Sequence, residues 1–110
     1  MAQKKVRTII EFFAQRLLEQ SVNVSKIILF GSHAAGTAGV ESDIDIVIVS
    51  EDFRRKNIFK RVELIKDAEI QTIKKFLVPL DVIVMTPEEY ENGTSIIAEY
   101  AHKGEVLFAA

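Results

Sequence analysis

Phe30-Gly31-Ser32-His33-Ala34-Ala35-Gly36, followed by Ser42-Asp43-Ile44-Asp45-Ile46-Val47-Ile48-Val49, is the stretch on which the reading of this chain turns. Its first part is the end of an apolar strand, Ile27 to Phe30, breaking into a turn of small residues. Glycine at position 31 lets the backbone turn sharply and approach a ligand closely. Ser32 adds a hydroxyl and a backbone amide, and Ala34 and Ala35 can begin a short helix whose N-terminus faces the turn. Amides at such a helix start favour phosphate oxygens. The second part alternates, and residues two apart in a strand point to one face. Asp43 and Asp45 therefore project side by side, with Ile44, Ile46 and Ile48 facing the other way.

Two carboxylates on one face repel each other and are costly to bury together. A divalent cation removes that cost. Mg²⁺ is typically held by one or two carboxylates plus substrate phosphates, so a phosphate-holding turn beside a carboxylate pair is chemically coherent. A lone Gly-Ser turn, or a lone Asp-x-Asp facing water, is an ordinary feature with no functional meaning. Their joint occurrence, in this order and after an apolar strand, is what points to function.

Gly31-Ser32-x-Ala34-x-Gly36, then Ser42-Asp43-Ile44-Asp45, resembles the signature of the DNA polymerase β-like nucleotidyltransferase superfamily, and most closely its minimal nucleotidyltransferase (MNT) domains. That pattern also calls for a third carboxylate on a later strand, and Leu80-Asp81-Val82-Ile83-Val84 supplies it. The resemblance covers most of the chain. One departure stands out: members usually carry an arginine just before the second glycine of the turn, where this chain has Ala35.

Working outward, residues 4 to about 20 form an amphipathic helix with Val6, Ile9, Ile10, Phe13, Leu17 and Leu18 as its core-facing stripe. Ser21 to Ser25 connect it to a strand, Lys26 to Phe30, apolar enough to be covered on both faces. After a loop over Thr37 to Ser42 comes the second strand, Asp43 to Val49. Residues 53 to 77 carry a long helical pattern, with Ile58, Val62, Ile65, Ile73 and Leu77 near one face and a basic front end of Arg54, Arg55, Lys56, Lys60 and Arg61. That cluster reads as a solvated helix end, or as the source of a cation for phosphates or an acidic partner in place of the missing turn arginine. Pro79 stops the helix before the third strand, Leu80 to Met85.

Thr86-Pro87-Glu88-Glu89 is an N-cap with proline at the first helical position. Asn92-Gly93 breaks that helix, and Ser95 to His102 starts another with Ile96, Ile97 and Tyr100 as its apolar residues. Gly104 ends it, and Val106-Leu107-Phe108 closes the chain as a short apolar segment. His33 is expected to face solvent, His102 to lie at the surface or cap a helix, and Tyr90 and Tyr100 to pack. The order gives an α/β domain with a small sheet packed by helices. Pattern alone leaves a small doubly wound fold open; the resemblance implies the nucleotidyltransferase fold with a mixed sheet.

A chain of 110 residues, 48% apolar and 27% charged, is expected to be one domain over 1–110 with its own core. There is no cysteine, hence no disulfide framework or thiolate site, in keeping with a cytoplasmic setting. No apolar run approaches the roughly 20 residues that span a bilayer. A formal charge of −2 offers no general field for nucleic acid, so direct nucleic-acid binding is not expected.

The resemblance implies a catalytic set of Asp43, Asp45 and Asp81, which would ligate two Mg²⁺ ions, with Gly31 and Ser32 holding the phosphates of ATP. Asp43 and Asp45 would bridge both metals, and Asp81 would ligate the one at the attacking hydroxyl. The implied reaction moves AMP to a hydroxyl on a protein. Free-standing MNT domains of this size commonly pair, as antitoxins, with a small helical HEPN ribonuclease toxin, which they adenylylate. Two other functions stay open: a binding module that neutralises such a partner by contact, and a small-molecule nucleotidyltransferase completed by homo-oligomerisation.

Overall fold

A computed structural model of the protein describes residues 3–35 and 43–110. Gly36 and the loop expected over Thr37 to Ser42 lie outside the described residues. The elements in chain order are α1 (Lys4–Glu19), β1 (Val24–Phe30), α2 (Gly31–Ala35), β2 (Ile44–Ser50), α3 (Ile58–Phe76), β3 (Leu80–Met85), α4 (Pro87–Asn92), α5 (Ile96–Lys103) and β4 (Glu105–Ala109).

The strands form a mixed sheet in the order β3-β2-β1-β4. β2 runs antiparallel to β1 and parallel to β3, and β4 runs antiparallel to β1. The alternation in β2 sorts its side chains between the two faces. Ile44, Ile46 and Ile48 join Val6, Ile9, Ile10, Phe13 and Leu17 of α1 and Ile65 and Ala68 of α3 in one core. Val47 and Val49 join Ile28, Met85, Tyr90 of α4 and Ala98 and Ala101 of α5 in another. Both faces of the central strands are thus covered, which is why β1 and β2 are almost continuously apolar.

The fold matches the expected mixed sheet and differs from expectation in four places. First, Val106-Leu107-Phe108 is a fourth strand, β4, whose pairs Lys26↔Ala109 and Ile27↔Phe108 extend the sheet beyond β1. Its inward and outward residues do not alternate cleanly enough to announce a strand, because an edge strand needs only one covered face.

Second, α3 begins at Ile58, with the Asn57 side chain accepting the Lys60 amide at 3.0 Å. Glu51–Phe53 is instead a separate 3₁₀ turn that buries Phe53 completely. Leu77 ends the helix in a left-handed conformation, φ 53°, with its amide on the Ile73 carbonyl at 2.8 Å.

Third, the buried face of α3 is Ile65, Ala68 and Thr72, whereas Ile58, Val62 and Leu77 are exposed. The helix is rotated so that this small-residue face meets α1 and the sheet. The Thr72 hydroxyl is satisfied by donating to the Ala68 carbonyl at 2.7 Å. Leu18 of α1 is likewise exposed, one helical step round from the buried Leu17.

Fourth, α5 buries Ala98 and Ala101 and leaves Ile96 and Tyr100 exposed. The cause is close approach. A Cβ on Gly104 would come within 2.4 Å of the Leu29 carbonyl oxygen, so the end of α5 lies hard against β1 and only small residues fit beneath it.

Candidate functional site

β1 and β2 are antiparallel, so the end of β1 lies beside the beginning of β2, with Phe30 opposite Asp45. β2 and β3 are parallel and in register, with Asp45 opposite Asp81. The topology therefore brings the end of the first apolar strand, the Asp-x-Asp segment and the later aspartate to one end of the sheet. Asp45 and Asp81 share the face on which Val47, Ile83, Val49 and Met85 pack beneath α4 and α5. Strand alternation carries both carboxylates to the rim of that core.

Gly31 has φ 73°, a left-handed conformation that glycine adopts without strain. It also opens α2, so the helix begins at the glycine itself. A Cβ at this position would stand 2.3 Å from the Asp45 Oδ2, so the bare backbone of the turn is packed directly on that carboxylate. Ser32 and His33 follow in α2, both half-buried.

The electrostatics follow from this crowding. The Asp45 carboxyl is pushed above its usual range by its own burial first, then by the charges of Asp81 and Asp43 and by a side-chain hydrogen bond with Asp81, while His33 acts in the opposite direction. Asp43, immediately before β2, is exposed. The three sequence-predicted aspartates are therefore electrically one cluster, and Gly31 touches it.

A fourth carboxylate belongs beside them. Glu69 of α3 is raised by burial and then by the charge of Asp81. The sequence reading missed it because it set the packed face of α3 near Ile58, Val62, Ile65, Ile73 and Leu77, whereas Glu69 borders the face buried by Ile65, Ala68 and Thr72. An acid placed so near a packing face cannot be fully solvated.

Among the described residues, no group of three or more His, Cys, Asp or Glu side chains forms a ready-made metal cage. The donors nonetheless suit Mg²⁺. They are hard carboxylate oxygens, they repel one another, and Mg²⁺ usually completes its shell with water and substrate phosphates rather than with protein alone.

Two arginines of the basic cluster before and at the start of α3 are occupied elsewhere. Arg54 forms a fork with Glu88, Nε at 2.7 Å and Nη2 at 2.5 Å, and also meets Glu51. Arg61 donates to Glu89 at 2.7 Å and to the Lys56 carbonyl at 2.9 Å. These pairs tie α3 and its approach to α4. Arg55 is exposed at φ 60°. His102 is structural, with its ring stacked on Tyr90 at 4.4 Å and its Nε2 2.5 Å from the Tyr90 carbonyl oxygen.

Residues 6–103 match the nucleotidyltransferase domain family. The chain belongs to that family. It is similar to a Methanocaldococcus jannaschii protein provisionally named protein adenylyltransferase MJ1305, with 27% identity over 90 residues. That alignment covers 81% of this chain and 60% of the relative, so the chain spans less than two thirds of the curated protein it matches. Among solved structures, a provisionally named nucleotidyltransferase from Sulfolobus solfataricus superposes with a TM-score of 0.61 at 20% identity, covering 99% of this chain and 90% of that one. A toxin–antitoxin structure with AMP-PNP gives a TM-score of 0.61 at 21% identity, covering 89% and 72%. A mutant of the toxin–antitoxin MntA-HpeT gives 0.57 at 17%, covering 88% and 70%. These likenesses show the nucleotidyltransferase fold. Among the described residues, no helix is long and apolar enough to cross a membrane.

Proposed function

We propose that this nucleotidyltransferase transfers AMP from ATP to a hydroxyl of a protein, and that the protein is a small helical toxin of HEPN type for which this chain is the antitoxin. The observation that carries the reading is the Asp45 carboxylate, held between the Gly31 turn and Asp81. It brings a phosphate-binding backbone and a carboxylate cluster into one site. The name of the archaeal relative and the toxin–antitoxin neighbours favour the protein acceptor and the partner.

In this reaction the acceptor oxygen attacks the α-phosphorus. A new oxygen–phosphorus bond forms while the bond from that phosphorus to the oxygen bridging to the β-phosphate breaks, and pyrophosphate leaves with the bonding pair. Gly31 and Ser32 bind the phosphates through backbone amides and the serine hydroxyl. Asp81, beside Asp45, orients the acceptor hydroxyl and takes its proton. Asp43, Asp45 and Asp81 would hold two Mg²⁺ ions, which when bound supply the positive charge that offsets the phosphates and the leaving group.

The surface also carries material for a protein partner. On α3, Phe59, Val62 and Ile70 are 78%, 43% and 40% exposed. Their spacing lines them along one side of the helix, the side flanked by Glu69, which reaches toward Asp81. A protein lying along this stripe would be delivered to the carboxylates. The same stripe also favours a second reading, neutralisation of the partner by contact alone, to which the alanine at position 35 lends weight.

The test is transfer of radiolabel from the α-phosphate of ATP, with Mg²⁺, to proteins in a lysate of the source cell, beside the Asp43→Asn/Asp45→Asn double variant. A protein band labelled by the wild type alone is expected, and its size names the acceptor. If Asp45→Asn still neutralises the partner in cells, contact and not chemistry is the mechanism.

A further inference from the structure

A pocket opens against the same turn and carries a cation that the sequence did not single out. About 290 Å³ in volume, it is lined by Phe30, Gly31 and Ala34 from one side and by Tyr100, Lys103 and Gly104 from the other. Tyr100 and Lys103 are three apart on α5 and so share a face of that helix. Lys103 is exposed and has no ion pair among the described residues. Its position is fixed by its neighbour. Gly104 runs so close to β1 that a Cβ there would meet the Leu29 carbonyl oxygen at 2.4 Å and Ile28 Cγ2 at 2.7 Å. Lys103 is therefore held at the mouth of the Gly31 turn by backbone packing.

We propose that Lys103 binds the terminal phosphates of the nucleoside triphosphate, and that the pocket between Gly31 and Lys103 is where the pyrophosphate portion lies. The inference rests on the nucleotidyl-transfer reading and adds to it a residue and a place. Charge supplies the argument. Asp43, Asp45 and Asp81 already repel one another at this end of the sheet, and a triphosphate adds further negative charge. Ions at the carboxylates offset charge near the α-phosphorus, but the far end of the triphosphate needs its own cation. Of the arginines that the sequence offered for this task, Arg54 is committed to Glu88 and Arg61 to Glu89, and Arg55 does not line this pocket. Lys103 is the cation that lines the pocket, across from Gly31. Phe30, Ala34 and Tyr100 complete the walls of the pocket.

The test is calorimetric binding of AMP-PNP, inorganic tripolyphosphate and AMP to wild type, Lys103→Met, Lys103→Arg and Ser32→Ala, each checked for an unchanged melting temperature. Lys103→Met is expected to weaken AMP-PNP and tripolyphosphate by about 10- to 100-fold, the worth of a charged hydrogen bond, and to leave AMP unaffected. Lys103→Arg should restore most of the affinity. Wild-type tripolyphosphate binding should also fall more steeply with salt than that of Lys103→Met. If Lys103→Met binds AMP-PNP as wild type does while Ser32→Ala loses it, the role of Lys103 is overturned and nucleotidyl transfer stands. If the wild type binds neither AMP-PNP nor tripolyphosphate, both fall together.

Discussion

The Asp45 Oδ2 fills the space that a side chain on Gly31 would need, 2.3 Å from where its Cβ would stand. The Gly31 turn, for which phosphate binding is proposed, and the carboxylate cluster are therefore a single packed unit, even though the two residues lie on different strand–turn segments. The antiparallel pairing of Phe30 with Asp45 creates this contact.

Gly31→Ala tests that unit. Alanine resists the left-handed backbone at φ 73° by roughly 1–2 kcal/mol, and its methyl also pushes the Asp45 carboxylate aside. The fold should survive with a lowered melting temperature, because Gly31 is exposed and belongs to neither core. Transfer activity should fall by about 100-fold, the scale of a misplacement near 1 Å. Near-wild-type labelling by Gly31→Ala would show that the contact is not needed.

Asp45→Asn should separate stability from activity. The folded Asp45 carboxyl titrates above its ordinary value of 3.8, so the native state binds more protons than the unfolded chain as pH rises through that interval. Stability therefore falls over that window, and the ionised carboxylate is a liability of the metal-free protein at neutral pH. Asparagine removes it, so the melting temperature without metal should rise. Mg²⁺ should then raise the melting temperature of the wild type and not of the variant, while transfer drops by at least about 100-fold. A variant both less stable and still responsive to Mg²⁺ would contradict this assignment.

The parts of the fold legible in the sequence were those with strong local signals. Alternation in β2 assigned Ile44, Ile46 and Ile48 to one face, and the structure places them in the core with α1 and α3. Pro79 and the Thr86-Pro87 cap marked the ends of α3 and α4. What stayed hidden depended on contacts between elements. The edge strand β4 has meaning only once β1 lies beside it. The burial of Ala98 and Ala101, rather than Ile96 and Tyr100, follows from how closely Gly104 lets α5 approach the sheet. Glu69 and Lys103 were illegible for the same reason. A lone acid in one helix and a lone lysine in another gain a role only when packing sets them against Asp81 and Gly31.

The junction of α3 and α4 should give the protein an acid-sensitive step. Burial pushes the Glu89 carboxyl up, but the Thr86 amide at 2.7 Å and Arg61 at 2.7 Å more than offset it, and its folded value lies below the ordinary 4.5. The unfolded state thus binds more protons just below pH 4.5, so this contribution is fully present above that pH and is lost as pH falls through the folded value. Glu89→Gln should flatten the stability profile in this window in urea denaturation at several pH values. Thr86→Ala, which removes the other half of the capping box, should cost about 1 kcal/mol at pH 7.

The exposed stripe on α3 should matter for the partner and not for the fold. Phe59 is 78% exposed and Val62 43%, so neither supplies much to the core. Exposed apolar side chains in a row on a helix are a surface another protein can cover. Phe59→Ser/Val62→Ser should leave the melting temperature within about 1 kcal/mol equivalent, as surface changes usually do. Binding of AMP-PNP should also persist, since the phosphate turn and the aspartates lie on other elements. Labelling of the protein acceptor should fall by at least about tenfold, the scale of losing one well-buried interface side chain. Undiminished labelling by the double variant, with its fold intact, would move the acceptor to a different face of the molecule.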